Sequence, residues 1–158
     1  MAEASITEHE LDGILSQPME IIDDVIWQRK PNDSWLEAVL KVKHPQRGVT
    51  LEIRLSVNDL DRGKYSFSLL LWGGHRIRGL DVNGSHRNTH TDRNRWNQEL
   101  HKHKWTDICH GSWAYTPDDI LIQTMEDAFR SFCKECGITF KGRWTDPPAQ
   151  QPTLFNEV

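Results

Sequence analysis

A chain of 158 residues, 37% hydrophobic and 27% charged, has ordinary soluble-protein composition and is long enough for one domain with a real core. No apolar run approaches the roughly 20 residues of a membrane span. The first residues, Met1 to Ser5, lack the basic and apolar regions of a secretory signal, and three cysteines make no disulfide framework. A cytoplasmic protein is therefore expected, and a net charge of −4 argues against sequence-blind coating of DNA.

Ser5-Ile6-Thr7-Glu8 has the form of a capping box, and Ile6, Leu11, Ile14 and Leu15 fall near one helical face before Pro18. A short helix over about 6–16 is predicted. Strand signals follow. Val25-Ile26-Trp27 is short and apolar. Leu36, Ala38, Leu40 and Val42 alternate with polar positions, as do Val49, Leu51, Ile53 and Leu55, and then Tyr65, Phe67, Leu69 and Leu71. Polar turns at 44–48 and 58–63 and a tight Gly73-Gly74 turn separate these runs. A fifth run, His75 to Val82, completes what reads as an antiparallel meander with one packed and one wet face.

From Asn83 to Gln98 the periodicity vanishes, and about 16 polar residues read as a long loop of the kind that is usually functional or disordered. Leu100 to Trp105 reads as a sixth strand, with His101 and His103 on one side and Lys102 and Lys104 on the other. Thr116-Pro117-Asp118-Asp119 then predicts a helix start, with a hydroxyl at the N-cap and proline at N1. Ile120, Leu121, Met125, Ala128, Phe129, Phe132, Cys133 and Cys136 make its apolar stripe, and Gly137 sits at C′. Ile138-Thr139-Phe140 is a candidate edge strand. Residues 145–158 form a proline-rich tail expected on the surface or partly mobile. No repeat and no domain boundary is visible across 1–158. The expected fold class is α+β: a curved antiparallel sheet of five to six strands, with a short N-terminal helix and one long C-terminal helix packed on it.

Chemistry-bearing residues concentrate between His75 and His110. The stretch holds six of the eight histidines and seven Arg and Lys against four Asp and Glu, a local net of +3 in an acidic chain. Metal-free phosphodiester chemistry is one reading. Histidine titrates near working pH, so His86, His101 and His103 can supply a general base and a general acid. Arg76, Arg78, Arg87 and Lys104 would stabilise phosphoryl charge, and Trp96 and Trp105 could stack bases. A second reading is a zinc or other divalent metal site built from His86, His90, His101 and His103. The spacing is irregular and lacks both His-Glu-x-x-His and the acidic residue that follows a cupin-type His-x-His. The plain alternative is a solvated polar face. Cys133-Lys134-Glu135-Cys136 has zinc-knuckle spacing with Cys109-His110 as distant partners, but both cysteines continue the helical stripe, so core packing is expected. No cofactor is expected otherwise.

Arg78, Leu80, Asp81, Asn83, Gly84 and His86, the later His-Lys-His-Lys-Trp at 101–105, and the Tyr-Thr-Pro-Asp-Asp at 115–119 resemble a family of small uncharacterised prokaryotic proteins, a domain of unknown function. The resemblance spans about residues 35–140. It implies a small α+β fold and brings no activity or catalytic residue. Some such proteins are encoded among mobile-element or toxin–antitoxin genes, which favours RNA- or phage-related roles. The expected function is binding of a phosphate-bearing ligand, RNA foremost, with phosphodiester cleavage within reach of the same residues. The alternative is a non-enzymatic protein-interaction module, inhibitor- or antitoxin-like, or a His-ligated metal-binding protein.

Overall fold

The computed structural model describes residues 6–31, 34–87, 95–106, 110–115 and 124–148, with side chains for 6–31, 34–82 and 124–148. Its elements in chain order are α1 (Glu8–Leu15), β1 (Met19–Ile21), β2 (Gln28–Arg29), β3 (Trp35–Val42), β4 (Leu51–Asn58), β5 (Tyr65–Leu71), β6 (His75–Arg87), β7 (Arg95–Thr106), β8 (His110–Tyr115), α2 (Met125–Glu135) and β9 (Ile138–Phe140). Strands β2 to β8 follow one another in an open antiparallel sheet, each beside its sequence neighbour. β1 and β9 form a separate parallel pair. The α+β architecture expected from the alternating runs is the one observed.

The alternation in β3, β4 and β5 sorts the sheet into two faces. Leu36, Ala38, Leu40 and Val42 are buried, as are Leu51, Ile53, Leu55 and Val57 on β4 and Tyr65, Phe67, Leu69 and Leu71 on β5. Register pairs put Ala38, Leu55, Phe67 and Leu80 in one cross-sheet row of this inner face. Helix α2 covers the row: Phe129 meets the Phe67 ring edge-on at 5.7 Å, and Phe132 lies 5.9 Å from it. Phe129 also packs on Phe140 and Trp144 at 5.0 and 5.2 Å, which joins the helix to β9.

Both helices begin later than their sequence signals place them. In α1 the cap is Thr7, whose hydroxyl accepts from the Glu10 amide at 3.2 Å, and Ser5 lies outside the described residues. Ile6 and Leu11, at the positions of a hydrophobic staple, are both buried. In α2 the cap is Thr124, extended at φ −135° and ψ 164°, with its hydroxyl accepting from Asp127 at 3.0 Å. Glu126 and Asp127 occupy the first turn, where the helix dipole favours them. The Thr116-Pro117 start falls outside the described residues, and the described helix obeys the same capping chemistry eight residues further on. Its C-terminus is as expected, with Gly137 left-handed at φ 75° after the Cys136 cap.

Two strand expectations need correction. Val25-Ile26-Trp27 is not a strand. Val25 is buried, Ile26 is exposed, and the Trp27 indole N–H donates to the Thr145 carbonyl at 2.8 Å, so each residue answers to a different neighbour. The polar stretch 83–98 is not one continuous loop. β6 runs to Arg87 and β7 starts at Arg95, so most of it belongs to a hairpin ladder held by backbone pairing, which needs no apolar alternation. β8, unmarked in the sequence, extends the sheet past β7.

The first part of the 145–158 segment is anchored. Pro148 accepts from Arg62 at 2.6 Å, and Trp144 donates to Asp146 at 2.7 Å. Arg62 and Arg29 together grip Asp59, which is 6% exposed. The Arg29 guanidinium, helped by Arg62, holds the Asp59 carboxyl below its ordinary range against the opposing effect of burial. A depressed carboxylate pKa stabilises the fold above the unfolded value of about 3.9 and loses that contribution as pH falls through the folded value. Asp59→Asn should therefore lower the melting temperature at pH 7. The loss should be about 1–2 kcal/mol, toward the low end because both guanidiniums remain about one-third exposed. Melts repeated between pH 7 and pH 2 should show the gap to wild type closing below about pH 4. A gap that stays constant would remove the ion pair as its cause.

Candidate functional site

The outer face of the sheet is wet and carries a continuous arrangement of charge. One row runs through Glu37, Ser56, Ser66 and Asp81, and the next through Val39, Arg54, Ser68 and Gly79. A third runs Lys41, Glu52, Leu70 and Arg76. On the β3–β4 side the charges neutralise one another: Arg54 pairs with Glu37 at 2.9 Å and reaches Glu52 at 3.5 Å. Ser56, Ser66, Ser68 and Gly79 occupy the middle of the face, between Arg54 and Arg76.

A bulge organises the β6 side of this face. Leu69 pairs with Arg78 but Leu70 pairs with Arg76, so Ile77 is an extra residue on β6 and is fully buried. The bulge returns Arg76 to the outer face. Its guanidinium lies flat over Gly79, where a Cβ would stand 2.6 Å from Arg76 Cζ and overlap two of its nitrogens. Only glycine permits this approach. From there Arg76 Nη2 donates to Asp81 Oδ1 at 3.0 Å, and both side chains are largely covered. Arg76 Nε is buried with no hydrogen-bond partner among the described residues.

The β6–β7 ladder carries two of the predicted histidines to this point. Asp81 is the register partner of His101, and Gly79, beneath the Arg76 guanidinium, is the partner of His103. Directly opposed residues in an antiparallel pair have Cα atoms about 4.5–5.5 Å apart and share a face. Arg76, Asp81, His101 and His103 thus occupy neighbouring positions on one face of the sheet.

The other predicted site residues are distributed differently. Arg78 and Lys104 are partners of each other in the row of Leu69, on the inner side, and Arg78 Nη1 donates to the Ile77 carbonyl at 2.8 Å. His86 pairs with Trp96, five residues along β7 from His101, which is roughly 17 Å of strand. Arg87 pairs with Arg95 at the end of the ladder. Trp105 falls at the register shift between β7 and β8. His90 lies outside the described residues. The ladder therefore gathers Arg76, His101 and His103, and sets Arg78, Lys104, His86, Arg87 and Trp96 apart from them.

For metal, no group of three or more His, Cys, Asp or Glu converges among the described side chains, and those of His86, His90, His101 and His103 lie outside them. The cysteine knuckle reading gives way to packing: Cys133 and Cys136 are buried in the core beside Phe129 and Phe132. Burial pushes the Cys133 thiol up to about 12, so it stays protonated and is a poor ligand at neutral pH. No helix among the described residues is long and apolar enough to cross a membrane.

One residue that sequence reasoning passed over stands out. Among the described residues, Trp72 alone combines a side chain with a positive φ, 54°. It begins the β5–β6 turn, Gly73 follows at φ 76°, and the Gly74 amide donates to the Leu71 carbonyl at 3.3 Å. These are the features of a type I′ turn, whose first central position ordinarily takes Asn, Asp or Gly. The available signal was a tryptophan immediately before a Gly-Gly turn. Comparison of the chain with protein-family models, curated proteins and solved structures returned no match.

Proposed function

We propose that the outer face of β5 to β7 binds a phosphate-bearing ligand, with RNA the class its inventory fits, and that His101 and His103 are the acid–base pair for phosphodiester cleavage there. The observation that supports this reading is the β6–β7 register, which sets His101 opposite Asp81 and His103 opposite the glycine that seats Arg76. Arg76, already oriented by Asp81, would supply the cation at these register positions. In the cleavage step one imidazole takes the 2′-hydroxyl proton as the 2′-oxygen–phosphorus bond forms. The other, protonated, returns a proton to the 5′-oxygen as its bond to phosphorus breaks. The products are a 2′,3′-cyclic phosphate and a 5′-hydroxyl, with no cofactor consumed. Arg76 would meet the charge that develops on the non-bridging oxygens.

Incubation of the purified protein with mixed RNA, with and without EDTA, tests this. Salt-sensitive binding and EDTA-resistant cleavage are expected. Absence of both would sink the proposal, and EDTA-sensitive cleavage would transfer it to a His-ligated metal. Replacing His101 and His103 together by alanine should abolish cleavage, a loss of at least 10²-fold, while the melting temperature stays within a few degrees. A collapse in stability would instead make the histidines structural.

A second reading rests on a cleft of about 390 Å3 at the β2–β3 end of the same outer face, lined by Asp23, Asp24, Glu37, Gln28, Ile26 and Val39. Ile26 and Val39 are 69% and 47% exposed within this acidic rim. That is the surface a basic protein partner would use if RNA is neither bound nor cut.

A further inference from the structure

The β5–β6 turn holds its tryptophan against conformational preference. A left-handed conformation disfavours any L side chain by roughly 1–2 kcal/mol per residue, and such strain persists where the surroundings enforce it. Here they do. The Trp72 amide donates to the Thr50 carbonyl at 2.8 Å, and its indole N–H donates to the Gly48 carbonyl at 3.1 Å. The His75 ring meets it edge-on at 6.1 Å. Yet the side chain so fixed leaves half of its residue surface, 50%, in water. An indole clamped by its polar edge, with its apolar body exposed, contributes little to the core and stands ready to pack against something flat.

Two clefts of about 460 Å3 each share Trp72 and Val49 as a common wall. Both fall within the 300–1,000 Å3 of small-molecule sites. One of them is also lined by Lys41, Thr50 and Glu52. Lys41 and Glu52 belong to the same cross-sheet row as Arg76, through Leu70, so two of the residues that line this cleft are in line with Arg76 on the outer face. The row leads from an aromatic surface with adjacent hydrogen-bonding groups to the guanidinium beside His103's register position.

We propose that Trp72 is a stacking platform for a nucleobase, with Thr50, Glu52 and Lys41 facing the base edge and the attached phosphate directed along the row toward Arg76. This rests on the phosphate-binding reading for its second half and names the ligand as a nucleotide. An aliphatic or purely ionic ligand would gain nothing from the indole, whereas every base has a face that stacks on it. Glycine suits φ 54°, so Trp72→Gly removes the platform while relaxing the turn.

The test is titration of ¹⁵N-labelled protein with adenosine and, separately, with adenosine 5′-monophosphate. The Trp72 indole N–H is identified as the resonance missing from Trp72→Gly. Both probes should shift it, and Trp72→Gly should bind the monophosphate about 5- to 150-fold more weakly, the range expected for one lost base stack. A stationary indole resonance with both probes, or unchanged affinity in Trp72→Gly, overturns the proposal. Salt-sensitive RNA binding with a stationary Trp72 would leave the phosphate face standing and this platform refuted. A Trp72 shift with adenosine in a protein that binds no RNA would do the reverse.

Discussion

Replacing Phe67 by alanine should cost about 3–5 kcal/mol, enough to unfold the protein or bring it to the edge of unfolding, since total stability for a domain of this size is about 5–15 kcal/mol. Phe67 is fully buried at the crossing of two sets of contacts. Within the sheet it is the register partner of both Leu55 and Leu80, and across the layer interface its ring meets Phe129 and Phe132. Tyr65, 5.5 Å away, closes the aromatic group. Truncation forfeits the transfer energy of the ring and leaves a cavity that strands paired on both sides cannot easily collapse. Phe67→Leu, which keeps most of the volume, should lose appreciably less. Urea unfolding of both variants checks this: an unfolding free energy for Phe67→Ala within about 1 kcal/mol of wild type would mean that α2 does not depend on this contact.

Gly142→Ala is the second large effect, and it arises from backbone rather than side-chain packing. After β9 the chain stays beside residues 21–25: Lys141 donates to the Ile21 carbonyl at 2.8 Å, Val25 donates to Arg143 at 2.9 Å, and the Arg143 amide donates to Asp24 Oδ1 at 2.9 Å. Gly142 sits between these bonds. A Cβ there would overlap the Asp23 carbonyl oxygen and stand 2.6 Å from its carbon. Because the obstacle is main chain, held by hydrogen bonds on both sides, relief requires separating the two segments. The expected cost is about 1–3 kcal/mol or more, with raised hydrogen exchange at the Val25 and Lys141 amides. Full stability in Gly142→Ala would show that this segment is not tied to residues 21–25.

Much of the sheet was legible because its inner face repeats every second residue. Leu36 to Val42, Leu51 to Val57 and Tyr65 to Leu71 announce themselves as half-buried strands, and they are. The signal stops where the core stops. Beyond Leu80 and Val82 the β6–β7 ladder continues on main-chain pairing with two register shifts, so residues 83–87 and 95–99 are strand without an apolar period. β1, at three residues, is too short to display a period, and its partner lies far away in sequence. The candidate site was half legible. Composition located His101, His103 and Arg76, but it could not show that the Ile77 bulge turns Arg76 and Arg78 to opposite faces. Register decides that, and register is a property of pairs of strands. Trp72 is hidden for a different reason: Gly73-Gly74 accounts for a turn by itself, and the left-handed conformation of the residue before it leaves no mark in the sequence.

The pairing of β1 with β9 also bears on the order in which the molecule assembles. Met19 and Ile138 are 119 positions apart, whereas Leu71 and His75 close their hairpin across four. Loop-closure entropy rises as the logarithm of that separation, so bringing the first pair together costs about 4 kcal/mol against about 1 kcal/mol for the second, before any constant common to both. The meander can therefore zip from turn to turn early. The parallel clasp has to wait until the sheet and α2 have brought its two halves close, which places Met19, Ile21 and Ile138 among the last core residues to be buried. The helix that seals Phe67 and the segment that closes behind it are consecutive in the chain, so α2 docking and clasp closure form the late, long-range step of folding.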